Sequence, residues 1–228
     1  MRKLLVLVGS AAAYGFSVGC VHSLEFGLHN LIKFPLLLVV TALVCAVAYH
    51  LVASFLGARL SFGEVQALSF ALFRDASVML ASLAPVGLFL SLTIDRPSSR
   101  GLGEYPSFLG LNVLLIAFSG VVALWRQTRG LMKKAGLNRG RGAMVVASWL
   151  ALSLLVGSQA AWFFRPFFGV ATISSEATPF FLGTNPDFRG ATNFYEAVWQ
   201  IFAPPGTSVE REDGAAVIRD RGPRRPVG

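Results

Sequence analysis

The stretch that decides the fold is FPLLLVVTALVCAVAYHLVASFL, residues 34–56. It carries no Asp, Glu, Lys or Arg. A helix crosses the hydrocarbon layer of a bilayer with about 20 apolar residues, because each residue advances it by only about 1.5 Å. Inside lipid a helix also satisfies its own backbone polar groups, which an extended segment cannot do. Residues 34–56 are therefore predicted to be a membrane-spanning helix. Pro35 is placed in its first turn, where a missing N–H costs nothing, and Gly57 ends it.

Working outward, four more apolar runs have the same character: Leu4–Val21, Ala76–Ile94 with Pro85 in its middle, Ser107–Trp125 and Ala143–Phe163. The composition agrees. Of 228 residues 54% are hydrophobic and 14% are charged, with a mean hydropathy of +0.61, against about 25% charged in a soluble domain. That apolar excess exceeds what one water-soluble core can bury. The expected fold class is all-α, a polytopic membrane helix bundle of about five transmembrane helices with added interfacial amphipathic helices. One such surface helix is expected at 60–75, where Leu60, Phe62, Val65, Leu68, Leu72 and Phe73 alternate with polar residues. The run starting at Leu4 is read as the first membrane helix rather than a cleaved signal. Three regions follow: a bundle over 1–163, an exterior aromatic interfacial segment over 164–206, and an extended basic tail over 207–228.

The net charge of +8 would suggest nucleic acid in a soluble protein. Here the cations lie in short segments between apolar runs, as the positive-inside rule distributes them, so no nucleic-acid partner is expected. Arg126, Arg129, Lys133, Lys134, Arg139 and Arg141 occupy one predicted loop without an acid. With Arg2, Lys3, Arg59 and Arg74 they outnumber Lys33, Arg96 and Arg100 on the opposite side. The expectation is a cytoplasmic N-terminus and an exterior C-terminal region.

Few residues offer chemistry. Ala11, Gly15 and Gly19 recur every four positions and form a small-residue stripe, which lets two helix backbones approach closely in lipid. His22, Glu25 and His29 would share a face if the first helix continued past Val21. They are weak candidates for a metal or haem, since three ligands from one helix rarely close a site, and no cofactor is expected. Cys20 and Cys45 lack metal spacing and read as buried free thiols. No nucleophile motif, zinc-protease motif, phosphate loop or dinucleotide fingerprint occurs, so the chain is not expected to be an enzyme. Residues 193–202 begin with Asn193 and Glu196, a helix-start pattern. With Phe194, Tyr195, Val198, Trp199, Ile201 and Phe202 they read as an aromatic helix lying on a membrane surface.

Two stretches resemble known groups. Residues 34–88, from Phe34-Pro35-Leu36 through His50 to Leu88, look like the multi-span Yip-type membrane domain. Gly157-Ser158-Gln159-Ala160-Ala161-Trp162, Arg165-Pro166-Phe167-Phe168-Gly169 and Asn193-Phe194-Tyr195-Glu196-Ala197-Val198-Trp199 resemble small bacterial multi-span inner-membrane proteins of unassigned function. The resemblance implies a bacterial inner-membrane protein with five spans, whose aromatic segment packs at the outer leaflet.

The first functional expectation is a non-catalytic subunit or scaffold of a larger bacterial membrane complex. Its partners would be the lipid bilayer and other membrane chains, in a hetero-complex or a homo-oligomer. Arg165, Phe167, Phe168, Tyr195 and Trp199 are its expected contact residues. Two alternatives are a small transporter or channel for ions or lipids, and a haem- or metal-binding redox subunit.

Overall fold

The computed structural model describes residues 2–94, 105–165, 167, 180 and 193–195. They form five helices: α1 (Arg2–Gly19), α2 (Leu24–Phe55), α3 (Phe62–Thr93), α4 (Tyr105–Lys134) and α5 (Arg139–Phe164). The chain is an all-helical membrane bundle. Four helices are long and apolar enough to cross a membrane: α2, α3, α4 over Gly110–Arg129, and α5. The expected fifth span, α1, does not meet that measure, because its 18 residues include Arg2 and Lys3. It packs instead against both α2 and α3.

Local chemistry sets the boundaries. The Ser23 hydroxyl accepts a hydrogen bond from the Phe26 N–H, capping α2 ten residues earlier than expected,. Residues 22–34 are therefore mostly helix rather than a connection, and Pro35 lies well inside α2 rather than in its first turn. At its other end, Gly57 adopts φ of 79°. The Ala58 N–H then reaches Ala53 O at 2.9 Å and the Gly57 N–H reaches Ser54 O at 3.0 Å, a Schellman ending that only a left-handed residue permits,.

Ser61 and Glu64 form a capping box that starts α3,. The surface helix expected at 60–75 is instead the first part of this continuous 32-residue helix. Arg74 and Asp75 do not break it: they pair with each other at 2.6 Å, and the Gln127 side-chain amide donates to Asp75 from α4 at 2.6 Å. At about 1.5 Å per residue, α2 and α3 are each about 48 Å long, well beyond the roughly 30 Å hydrocarbon layer. Their polar turns project past it. The basic loop is also largely helical, with Arg126 and Arg129 on α4 and with Arg139 and Arg141 opening α5. Only a short turn around Gly136, with φ of 65°, separates them.

Packing is uneven. α1 is wedged onto α2 along the small-residue stripe. A Cβ on Gly15 would stand 2.5 Å from Asn30 O, and one on Gly19 would stand 2.6 Å from Phe26 O. Ala11 is fully buried in the same cluster, with Tyr14, Val18, Phe34 and Leu80. Interhelical hydrogen bonds reinforce the contacts. Ser91 donates to Ser17 O at 2.8 Å, Ser69 to Ala42 O at 2.8 Å, and the Tyr14 hydroxyl to Asn112 Oδ1 at 2.7 Å. α5 is held by α2, through stacked Tyr49 and Trp149 rings and the Trp149 indole N–H donated to Tyr49 O. α4 rests on α3, and α4 and α5 touch only sparsely.

Gly15→Ala is expected to destabilise the detergent-solubilised protein by about 2 kcal/mol, the scale of overpacking against atoms that cannot yield. Gly9→Ala, which would meet nothing within 4 Å, should leave stability equal or higher. Equal melting temperatures for the two variants would contradict this packing.

Candidate functional site: an intramembrane cleft

The sparse α4–α5 contact leaves a space that α2 and α3 close from behind. This cavity has a volume of about 630 Å³. Its walls are almost entirely apolar: Leu37 and Leu38 from α2, Leu72 and Phe73 from α3, Ile116 and Val121 from α4, and Leu150 and Leu154 from α5. Ala117, Gly120, Ala151 and Gly157 also line it. Short side chains on the facing helices leave the space between them unfilled, and the pocket lies within the usual size range of ligand sites,.

Polar atoms are few and mostly engaged. The Ser153 hydroxyl donates to Trp149 O at 2.8 Å and also bonds the Tyr49 hydroxyl. Ser158 donates to Leu155 O at 3.1 Å, and Tyr195 donates to the same carbonyl at 2.9 Å. Thr41 differs. It is 2% exposed and lines the cavity, and its hydroxyl oxygen has no hydrogen-bond partner among the described residues. A buried hydroxyl without a partner costs about 1–3 kcal/mol, so a polar atom of a bound molecule would satisfy it.

One end of the cleft carries residues from beyond α5. Phe194 and Tyr195 line it, and the Phe194 N–H donates to the Gln159 side chain at 3.3 Å. On the α2 side, Asn30 donates its amide to Phe167 O, and the Phe167 ring meets Phe34 edge-on. Phe167, Phe194 and Tyr195 therefore rest on the bundle. Among the expected contact residues, Tyr195 is 42% exposed and the Arg165 guanidinium stacks 3.5 Å over the Trp162 ring. Phe168 and Trp199 lie outside the described residues, as do the remainder of the 193–202 segment and the tail from 207.

The small-residue stripe of Ala11, Gly15 and Gly19 is occupied by α2 of the same chain. His22, Glu25 and His29 are not on one continuing helix. α1 ends at Gly19, His22 lies in the turn, and Glu25 and His29 belong to α2. The His22 ring packs edge-on to Phe26 at 4.5 Å and the His29 ring to Phe180 at 5.0 Å. Among the described residues no three His, Cys, Asp or Glu side chains gather where they could hold a metal ion. Both cysteines are free and buried, and burial pushes the Cys20 thiol pKa up. Lys33, expected in an exterior loop, is 1% exposed on α2, with its ammonium 4.7 Å from the Phe180 ring centroid.

Sequence reasoning missed the cleft and its hydroxyl. Thr41 is one of a few polar residues in an apolar run, and that is all the sequence says of it.

The class of protein is thus a helix-bundle membrane protein with a lateral apolar cleft. Comparison with family models, with curated proteins and with solved structures returns no match to this chain.

Thr41→Val keeps the shape and removes the unpartnered hydroxyl. It is expected to raise the stability of delipidated protein by about 1 kcal/mol. A loss of similar size in a chemical-denaturation series would mean the hydroxyl already has a bond within the protein.

Proposed function

We propose that the chain is a non-catalytic protein of the bacterial inner membrane that holds the acyl chain of a membrane lipid between α4 and α5. It departs from the transporter or channel for ions or lipids raised by the sequence, keeping only the lipid. The single observation that supports it is the apolar cleft of about 630 Å³ with one unsatisfied hydroxyl at Thr41.

Size argues for a flexible chain rather than a partner helix. A helix about 10 Å wide fills roughly 120 Å³ per residue, so the cavity would admit only about five helical residues, under two turns. A lipid tail is narrower and bends. It is also the solvent of this region, so a side opening within the bilayer meets it at very high concentration. Apolar walls gain little over bulk lipid, because lipid tails are as apolar as Leu. Selectivity would therefore come from fit and from a polar atom on the chain or its ester that reaches Thr41.

A second reading, an accessory subunit or scaffold of a larger membrane complex, is supported by the outer-end aromatic group. Phe163 and Tyr195 are exposed there beside the Arg165–Trp162 stack. The small-residue stripe no longer supports that reading, since α2 already covers it. The redox reading has no geometric support among the described residues.

In this proposal the N-terminus is cytoplasmic. The Arg59 N–H donates to Ala135 O at 3.4 Å, so Arg59 shares one face with Arg126, Arg129, Arg139 and Arg141, and that face carries the cation excess. A reporter fused at Lys134 is expected to be active in the cytosol; activity only on the exterior would invert the map.

For the cleft, purified protein in bilayers containing a phospholipid with a photoactivatable diazirine on its acyl chain is expected to cross-link preferentially at cleft residues of α4 and α5. Gly120→Phe, whose added side chain would start in open space, should cut that labelling several-fold while the protein stays folded. Labelling spread evenly over all lipid-facing residues would defeat the proposal.

A further inference from the structure

At the end of the bundle away from Phe194 and Tyr195, a second surface has chemistry that the cleft does not use. Arg59, Arg126, Arg129, Arg139 and Arg141 are all exposed there. Among the described residues the one ion pair is Arg74 with Asp75, so none of these five arginines has an acid partner. Glu64, the nearby carboxylate on α3, is engaged on the Ser61 N–H at 2.8 Å and the Ser61 hydroxyl at 2.9 Å.

Three chain segments build this surface as a unit. The turn between α2 and α3 is tied to the turn between α4 and α5 by the Arg59 N–H on Ala135 O. Arg141 reaches back over the first turn, with a terminal nitrogen 3.9 Å from where a Cβ on Gly57 would stand. On α4, the Arg129 guanidinium lies 3.3 Å over the Trp125 ring, and Trp125 is 52% exposed. A half-exposed tryptophan at a span's end sits at the bilayer–water interface. Stacking fixes the plane of the guanidinium while its edge donors remain free for a planar, bidentate acceptor.

We propose that this surface binds the phosphodiester headgroup of anionic phospholipids, with Arg59, Arg129 and Arg141 as its principal donors. Depth selects the partner. Lipid phosphates lie at the level that Trp125 marks, and arginines held just beyond a span meet them without either group leaving the interface. Because the arginines come from separate segments, a headgroup bridging two of them also braces the two turns against each other. The guanidinium fork distinguishes this from simple charge attraction: Lys could replace the charge but not the paired hydrogen bonds.

The test uses the full chain, purified in mild detergent, with native mass spectrometry reading bound lipid from equimolar phosphatidylglycerol and phosphatidylcholine of identical acyl chains. Wild-type protein is expected to retain the anionic lipid over the zwitterionic one by roughly tenfold. A variant with Arg59→Gln, Arg129→Gln and Arg141→Gln should bring the two lipids close to parity. The corresponding Arg→Lys variant, which keeps charge and orientation, should fall between them. Soluble glycerol 3-phosphate should not displace the lipid, since the site takes its ligand from the membrane. Gly120→Phe, which fills the cleft, should leave the headgroup preference intact, so this inference and the cleft reading fail separately. Equal retention of both lipids by the wild type would overturn the proposal, as would an unchanged preference in the Gln variant.

Discussion

Helices already immersed in lipid gain little from hiding apolar surface against each other, so close contact and hydrogen bonds must hold them together. In this chain that requirement is met chiefly by α1. Gly15 and Gly19 bring its backbone onto α2 so closely that no side chain fits between them. Ser17 O and the Tyr14 hydroxyl then tie it to α3 and α4. The one helix of the five that falls short of the membrane-spanning measure is therefore the one that joins the others. With α1, α2 and α3 locked together, α4 rests mainly on α3 and α5 on α2, and the two have little need of each other. The cleft follows from that division.

Much of this was legible in the sequence, and the rest was hidden for identifiable reasons. Long apolar runs report lipid immersion directly, so the all-helical membrane architecture could be read from residues 34–56 and their counterparts. The stripe of Ala11, Gly15 and Gly19 could be read as a close-approach surface, but spacing alone does not say whether the approaching helix belongs to the same chain. Boundaries were harder. Ser23 caps α2 through a single hydroxyl, and its pattern is weaker than the apparent signal of Pro35. The polar pair Arg74–Asp75 looked like the end of a surface helix. In three dimensions the pair is internally neutral and is met by Gln127, so α3 continues through it.

The cleft itself could not be read, because it is a property of pairs. Small side chains at Ala117, Gly120, Ala151 and Gly157 look the same in sequence whether the two helices close or part. Thr41 shows the same limit. A threonine in a helix usually returns its hydroxyl to a preceding carbonyl, and only the geometry shows that this one does not,. Asn30 and Asn112 were likewise unremarked polar residues, yet Asn112 accepts the Tyr14 hydroxyl and Asn30 donates to Phe167 O. In a membrane bundle such polar side chains hydrogen-bond across helices and mark where they join.

A lateral opening between two loosely joined helices, lined by alkyl groups and facing the bilayer, is the feature on which the functional account turns. The most direct measurement is a density map of the protein in lipid nanodiscs, at a resolution that shows side chains. The account predicts that α4 and α5 stay apart, with elongated density between them running past Gly120 and Gly157 and a polar atom near the Thr41 hydroxyl. Helices packed against each other along Ala117, Gly120 and Gly157, with no space between them, would contradict it.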